Sequence, residues 1–204
     1  MRILGLTGSI GMGKSTAAAM LRRLGVPVFD SDAAVHRLLA KGGAAVPKIR
    51  EVFPDVVKDG AVDRQALGAR VFADPAALAR LEAIVHPLVR REERRFLGAA
   101  QRRRAPLVVL DIPLLFESGG EGRCDASVLV TAPSAVQEAR VLARPGMTRA
   151  KLAGIRARQM PEPEKRKRAD FVLLTSGGKR RTFDVLRGVV RTMRQRPLRR
   201  KSHG

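Results

Sequence analysis

Ile3-Leu-Gly-Leu-Thr-Gly-Ser-Ile-Gly-Met-Gly-Lys-Ser-Thr16 decides the fold. Within it, Gly8-Ser-Ile-Gly-Met-Gly-Lys-Ser15 fits the pattern G-x-x-x-x-G-K-[ST] and follows directly on an apolar run suited to a buried strand. The residues from Lys14 onward read as a helix, so the motif has the strand-loop-helix setting that a phosphate-binding loop requires. The glycines at 8, 11 and 13 let the backbone curl, with successive N–H groups turned inward toward phosphate oxygens. The start of the helix adds its positive dipole end. Lys14 is placed to reach β- and γ-phosphates, and the Ser15 hydroxyl to sit on Mg²⁺. The chain therefore reads as binding a nucleoside triphosphate, with Gly8, Gly11, Met12, Gly13, Lys14, Ser15 and Thr16 around it.

Working outward, short β-rich runs alternate with longer helical stretches, which predicts a parallel α/β architecture. Strands are expected over 2–7, 26–30, 107–111, 127–131 and 171–174. Helices are expected over 14–24, 134–143 and 182–194, with Ser134 as an N-cap. The interval between the second and third strands reads as helices over 31–41, 44–53 and 64–72, then from 75 to about 100. Asp74-Pro75 is a good start for the last of these, with proline at the first helical position. Gly60-Ala-Val-Asp63 reads as a turn into the helix at Arg64. An insertion of this size in a nucleotide-binding core suits a substrate sub-domain.

Composition narrows the class. The chain of 204 residues is 45% hydrophobic and only 3% aromatic, so its core must be aliphatic. The single cysteine, Cys124, makes no intramolecular disulfide, which fits a reducing compartment. The first strand begins within two residues of Met1, leaving no room for a signal peptide, and no apolar run approaches a membrane span. A cytoplasmic protein is expected. Forty Lys and Arg against nineteen Asp and Glu give a net charge of +21. That excess suits nucleic acid, an anionic surface or strongly anionic small substrates. Its clusters include Arg102-Arg-Arg104, Lys165-Arg-Lys-Arg168, Lys179-Arg-Arg181 and the tail from Arg194 to Lys201. No aromatics interleave with them as stacking platforms, so most of the excess reads as solvated surface rather than a nucleic-acid site.

Further chemistry sits at strand ends. Asp30-Ser-Asp32 closes the second strand, and ligands in open parallel sheets bind outside the carboxyl ends of strands. Phosphoryl transfer to an alcohol needs a carboxylate beside the acceptor oxygen. An N-cap pair for the following helix is the competing reading; with the phosphate loop in the chain, the base is favoured, Asp32 ahead of Asp30. Asp111, ending the apolar run Val108-Val-Leu-Asp111, fits a second acid on the metal side. The apolar loop beyond it, through Leu114 to Glu117, suits the uncharged part of a ligand. Arg140 and Arg144, one helical turn apart, resemble the cations of a lid, against a solvated-face alternative. His86 with Arg90 suits an anionic substrate, or else His86 is a helix-breaking residue ahead of Pro87.

Taken in order, these segments resemble the dephospho-coenzyme A kinase family. The resemblance rests on Leu6–Thr16, Phe29-Asp-Ser-Asp32, Leu81-Glu-Ala-Ile-Val-His-Pro-Leu-Val-Arg90, Val109-Leu-Asp-Ile-Pro-Leu-Leu-Phe-Glu117, and Arg158-Gln-Met-Pro161 with Ala169-Asp-Phe171. It implies an α/β phosphate-loop NTPase fold of three layers, with a five-stranded parallel sheet, an inserted helical substrate domain and a lid. The division expected is 1–30, 104–138 and 169–195 for the nucleotide core, 31–103 for the acceptor sub-domain, 139–168 for the lid and adenine-side loop, and 196–204 for a disordered basic tail. The resemblance further implies transfer of the ATP γ-phosphoryl, with Mg²⁺, to the ribose 3′-hydroxyl of dephospho-coenzyme A. Asp32 then matches the general base and Arg140 the lid arginine. Gln159 lies on the adenine side, the His86–Arg90 segment lines the acceptor pocket, and Thr7 and Leu114 also touch substrate. A monomer without a membrane or nucleic-acid partner is the favoured assembly.

Overall fold

The computed structural model describes residues 1–72 and 74–195; Ala73 and the basic tail 196–204 lie outside the described residues. Two compact units emerge, one of Met1–Phe29 together with the chain from Ala100 onward, the other Asp30–Ala99. Residues 139–168 fall in the first. No helix among the described residues is long and apolar enough to cross a membrane.

The first unit is built on a five-stranded parallel sheet, taken here in chain order as β1 (Arg2–Thr7), β2 (Val28–Asp30), β5 (Leu107–Asp111), β6 (Ala126–Thr131) and β7 (Phe171–Leu174). Across the sheet the order is β2-β5-β1-β6-β7. β5 and β6 are buried along their whole length, which is why apolar residues follow one another at 107–110 and 128–130 rather than alternating with polar ones. Register sets the chemistry at the sheet's carboxyl edge: Leu6 pairs with Asp111 on one side and Val128 on the other. Asp111 thus emerges beside the last residues of β1. β2 begins two residues later than its apolar pattern suggests, because Pro27 offers no amide; its carbonyl still accepts from Val109 N at 2.9 Å.

Helices α1 (Lys14–Arg23) and α9 (Lys179–Gln195) pack together over the sheet. Thr182, Leu186, Val189, Val190 and Met193 form the buried stripe of α9 at helical spacing. They join Ala17, Ala18, Met20 and Leu21 of α1 in the aliphatic core. Truncating a fully buried member such as Leu6 or Leu21 to alanine would cost about 2–5 kcal/mol. α9 starts three residues earlier than its apolar stripe suggests, so Lys179-Arg-Arg181 is its first turn. Thr182 N and Oγ1 both bond the Gly178 carbonyl, at 3.1 and 2.8 Å, which lets the helix begin ahead of its apolar face.

α6 (Ser134–Leu142), α7 (Arg149–Ala157) and α8 (Glu162–Arg168) complete the unit. Ser134 is not the N-cap expected of it; Pro133 occupies that position and Ser134 is the first helical residue. α6 ends at Leu142 with Ala143 as C-cap. Arg144, preceding Pro145, lies past that cap, since a residue before proline is driven from helical geometry. Arg140 and Arg144 therefore do not share a helical face.

The second unit has its own core of Leu38, Ile49, Phe53, Val56, Val62, Leu67 and Val85 among others. It is formed by α2 (Ser31–Leu39), α3 (Val46–Val52), α4 (Arg64–Phe72) and α5 (Pro75–Arg102), the last crossing into the first unit at Ala100. The segment read as a turn before Arg64 is instead a hairpin, β3 (Val57–Lys58) with β4 (Ala61–Val62). Its corner, Asp59-Gly60, has φ of 49° and 79°, the left-handed pair that suits a tight hairpin turn. Asp74 Oδ1 accepts from Ala76 and Ala77 N, capping α5 ahead of Pro75. Pro87 does not break α5, so His86 is no helix breaker. Ala83, His86 and Pro87 are all exposed, leaving the carbonyl opposite the proline open to water.

Candidate active site

The loop from Gly8 to Gly13 joins β1 to α1, and its conformation requires glycine. At Gly11, φ is +76° and a Cβ would lie 2.5 Å from Val141 Cγ2. At Gly8 a Cβ would meet the Val130 carbonyl oxygen at 2.7 Å, a backbone atom of the neighbouring strand that cannot move aside.

What holds the loop is a set of side chains far away in sequence. Gln137 Nε2 of α6 donates to the Ile10 carbonyl at 2.8 Å. Thr175 Oγ1, just past β7, donates to the Met12 carbonyl at 2.8 Å. Lys165 Nζ of α8 donates to Ser9 Oγ at 3.3 Å. Carbonyl and hydroxyl oxygens of three loop residues are thereby tied from outside.

Two of these tethers are gripped by arginines. Arg156 donates from Nε and Nη2 to Gln137 Oε1, at 3.2 and 2.6 Å. Arg140 donates from Nη1 to Thr175 Oγ1 at 2.9 Å and from Nη2 to its carbonyl at 3.1 Å. Arg140 is thus half-buried behind the loop, while Arg144 is exposed.

At the loop's exit, Lys14 Nζ is 2.7 Å from Asp111 Oδ1, the carboxylate that the β1–β5 register delivers. The lysine side chain is 16% exposed and the aspartate 3%. Ser15 and Thr16 are exposed on the first turn of α1. Thr7 is fully buried, its Oγ1 donating to the Pro113 carbonyl at 2.9 Å, and so is spent on shaping the turn after β5. In that turn Leu115 and Phe116 belong to the core while Leu114 is 44% exposed. Leu114, with half-buried Pro113 beside it, offers the apolar surface read from this stretch.

A second lysine–carboxylate pair flanks the loop. Lys165 is fully buried, with Nζ 2.8 Å from Glu117 Oε1. The same Oε1 accepts from Met160 N at 3.0 Å. Burial pushes the Glu117 carboxyl up, but the Lys165 ammonium and the backbone amides of Glu117 and Met160 outweigh it and hold the group below the usual range. Lys165 sits in a run, Lys165-Arg-Lys-Arg168, that reads as solvated surface; for this residue the structure corrects that reading, since α8 turns it inward. Gln159, next to Met160, has a buried Oε1 with no hydrogen-bond partner among the described residues, and so does Glu117 Oε2. Among the described residues, no three His, Cys, Asp or Glu side chains gather as a metal cage.

The two acids where β2 gives way to α2 separate clearly: Asp30 is the last residue of the strand and Asp32 the second of the helix. Asp30 is the N-cap of α2, its Oδ1 accepting from Ala33 N at 2.9 Å. Asp32 stands in the first turn of α2, exposed, and makes no hydrogen bond or ion pair among the described residues. His86 and Arg90 lie four residues apart on one face of α5, the first exposed and the second half-buried.

The residues that sequence reading missed are Gln137, Arg156, Lys165 and Thr175. Each acts across more than a hundred residues of chain or through a partner that does, and no local spacing marks them. Glu117 closes the Val109-Leu-Asp-Ile-Pro-Leu-Leu-Phe-Glu117 segment, but its role as counterion to Lys165 is visible only in three dimensions.

Comparison with known proteins follows the same lines. A family model described as dephospho-CoA kinase matches residues 2–180. A dephospho-CoA kinase from Paramagnetospirillum magneticum is 68% identical over 166 residues, covering 81% of this chain and 78% of the relative. One from Rhodospirillum rubrum is 56% identical over 204 residues, covering 99% and 96%. A crystal structure of a Thermus thermophilus protein superposes with a TM-score of 0.82 at 44% identity, covering 94% of this chain and 97% of that one.

Proposed function

The chain belongs to the dephospho-CoA kinase family, and from that premise we propose how its residues divide the work of phosphorylation. The enzyme uses ATP to phosphorylate dephospho-CoA, the last step of coenzyme A synthesis. The acceptor in our reading is the ribose 3′-hydroxyl. ATP lies on the Gly8–Ser15 loop, whose amides cradle the phosphates, with Met12 and Thr16 at its edges. Lys14 exchanges the Asp111 carboxylate for β- and γ-phosphate oxygens, a move its partial exposure permits.

The acceptor hydroxyl must lose its proton as the phosphoryl group arrives, and a carboxylate is the residue for that. Asp32 fills this role. The observation that carries the assignment is the commitment of Asp30 to capping α2, while Asp32 is exposed and uncommitted among the described residues. Asp30 then shapes the acceptor side through its cap. His86 and Arg90 contribute to the acceptor pocket from one face of α5, where a cation suits the anionic acceptor. Leu114 supplies apolar contact, and Gln159, whose buried Oε1 has no partner among the described residues, is assigned to the adenine side, where an amino group would give that oxygen a donor.

Arg140 supports the transition state by way of Thr175 and the Met12 carbonyl, and Arg144 adds charge from the exposed turn beyond α6. Mg²⁺ fits the oxygen donors present: it prefers few protein ligands beside phosphate oxygens, and the Ser15 hydroxyl and Asp111 carboxylate supply hard oxygens at the loop's exit. When bound it would neutralise charge between the β- and γ-phosphates. We place the protein in the cytoplasm as a monomer.

The test is ATP consumption by purified protein offered dephospho-CoA, nucleoside monophosphates, shikimate or gluconate in turn. Turnover confined to dephospho-CoA is expected. Folded protein that turns over another acceptor and not this one would refute the reading.

A further inference from the structure

We propose that Lys165 is a positioning residue for the phosphate loop: its buried ammonium, counterbalanced by Glu117, fixes the Ser9 hydroxyl and thereby the curl of backbone that presents the loop amides to ATP. The proposal rests on the loop's being the ATP site.

Two lysines are paired to carboxylates around this loop, and exposure separates their roles. Lys14 retains 16% exposure and can reach an incoming phosphate. Lys165 retains none, so it acts on the nucleotide only through what it holds. What it holds is Ser9, at 3.3 Å and 156 residues away in the chain. The Ser9 carbonyl in turn accepts from Met12 N at 3.2 Å, the hydrogen bond that closes the loop's tight turn. Ser9 is therefore where a tether from α8 can set the loop's curvature.

Stability alone does not account for this lysine. Replacing a buried ion pair by well-packed apolar residues is often neutral or stabilising. Methionine would fill the stem's space without bringing a charge to be neutralised. The charge has a use if it orients a hydroxyl that an apolar side chain cannot orient. Glu117 extends the connection, because its Oε1 also accepts from Met160 N in the turn that follows α7. One carboxylate thus joins the adenine-side turn to the phosphate loop through a single ammonium.

A double-mutant cycle tests this, with kcat/KM for ATP as the readout and melting temperature alongside. Ser9→Ala and Lys165→Met are each expected to lower kcat/KM for ATP by about tenfold. If Lys165 acts through Ser9, the double variant should fall no further than Lys165→Met, the coupling expected of contacting residues. Lys165→Arg should recover part of the loss, and Ser9→Ala should leave the melting temperature unchanged. Losses that multiply in the double variant would overturn the proposal, as would Ser9→Ala with wild-type kcat/KM. If Lys165→Met fails to fold, Ser9→Ala in the wild-type and Lys165→Arg backgrounds carries the test by the same criterion. Lys14→Ala separates the two levels. If it retains turnover, the loop is not the ATP site and both readings fall; if it is inactive while Ser9→Ala is normal, only the positioning role falls.

Discussion

Asp32→Asn removes a charge and preserves shape, and the structure separates its effect on folding from its effect on chemistry. Asp32 has no hydrogen bond or ion pair to lose among the described residues. Its stabilising contribution is that of an acid in the first turn of α2, about 0.3–1 kcal/mol. As general base it should be worth roughly two to four orders of magnitude in kcat, or about 3–5 kcal/mol of transition-state stabilisation. Asp30→Ala should show the opposite balance. It loses the bond from Ala33 N, which costs about 0.5–2 kcal/mol of stability as a lost N-cap. At this chain length that lowers Tm by about 2–4 °C per kcal/mol. The assay is steady-state ADP formation with saturating ATP, paired with thermal melts of both variants. KM for ATP should change little in Asp32→Asn, because the loop that binds it is untouched. If Asp32→Asn turns over like wild type, Asp32 is not the base. If Asp30→Ala loses turnover as severely as Asp32→Asn without loss of stability, the division between the two acids is wrong.

Three other outcomes are expected. Gly11→Ala combines a left-handed φ with a Cβ 2.5 Å from Val141, so strain and overpacking together should cost about 2–5 kcal/mol and raise KM for ATP; a denaturant midpoint equal to wild type would contradict this. Glu117 is held below the usual 4.5 in the folded state, so its contribution to stability is complete above that value and is lost as pH falls through the depressed one. Glu117→Gln should therefore flatten the acid limb of a stability-versus-pH curve below about pH 4.5 while leaving its shape near neutrality, and an unchanged acid limb would contradict the pairing. Removal of the residues after Pro197 should leave turnover of dephospho-CoA intact, since no proposed role falls there; lost activity in a folded truncation would reassign the tail.

How far the sequence reached depends on how local each feature is. The phosphate loop was legible because glycines, lysine and serine that shape one turn lie side by side, and the turn's setting between strand and helix is local too. β5 and β6 were legible because burial on both faces places apolar residues side by side, at 107–110 and 128–130, in place of an alternation. The hairpin at Asp59-Gly60 was missed because its strands are two residues each, too short for alternation to show. The pairing of Arg140 with Arg144 failed because spacing of four implies one face only while the helix lasts, and Pro145 ends it. Lys165 was hidden for a different reason: a buried cation inside a run of cations has no signature until α8 is docked. Gln137 and Thr175 likewise hold loop carbonyls from distant elements, and the bonds that define them are written in the fold rather than in any spacing.

The most direct measurement follows the γ-phosphoryl group itself. Incubated with γ-labelled ATP, Mg²⁺ and dephospho-CoA, the protein should move the label into coenzyme A at the ribose 3′ position, identified by NMR of the purified product, at a rate that Lys14→Ala abolishes. Label released only as inorganic phosphate, or found at another position, or transferred at the wild-type rate by Lys14→Ala, would contradict the account.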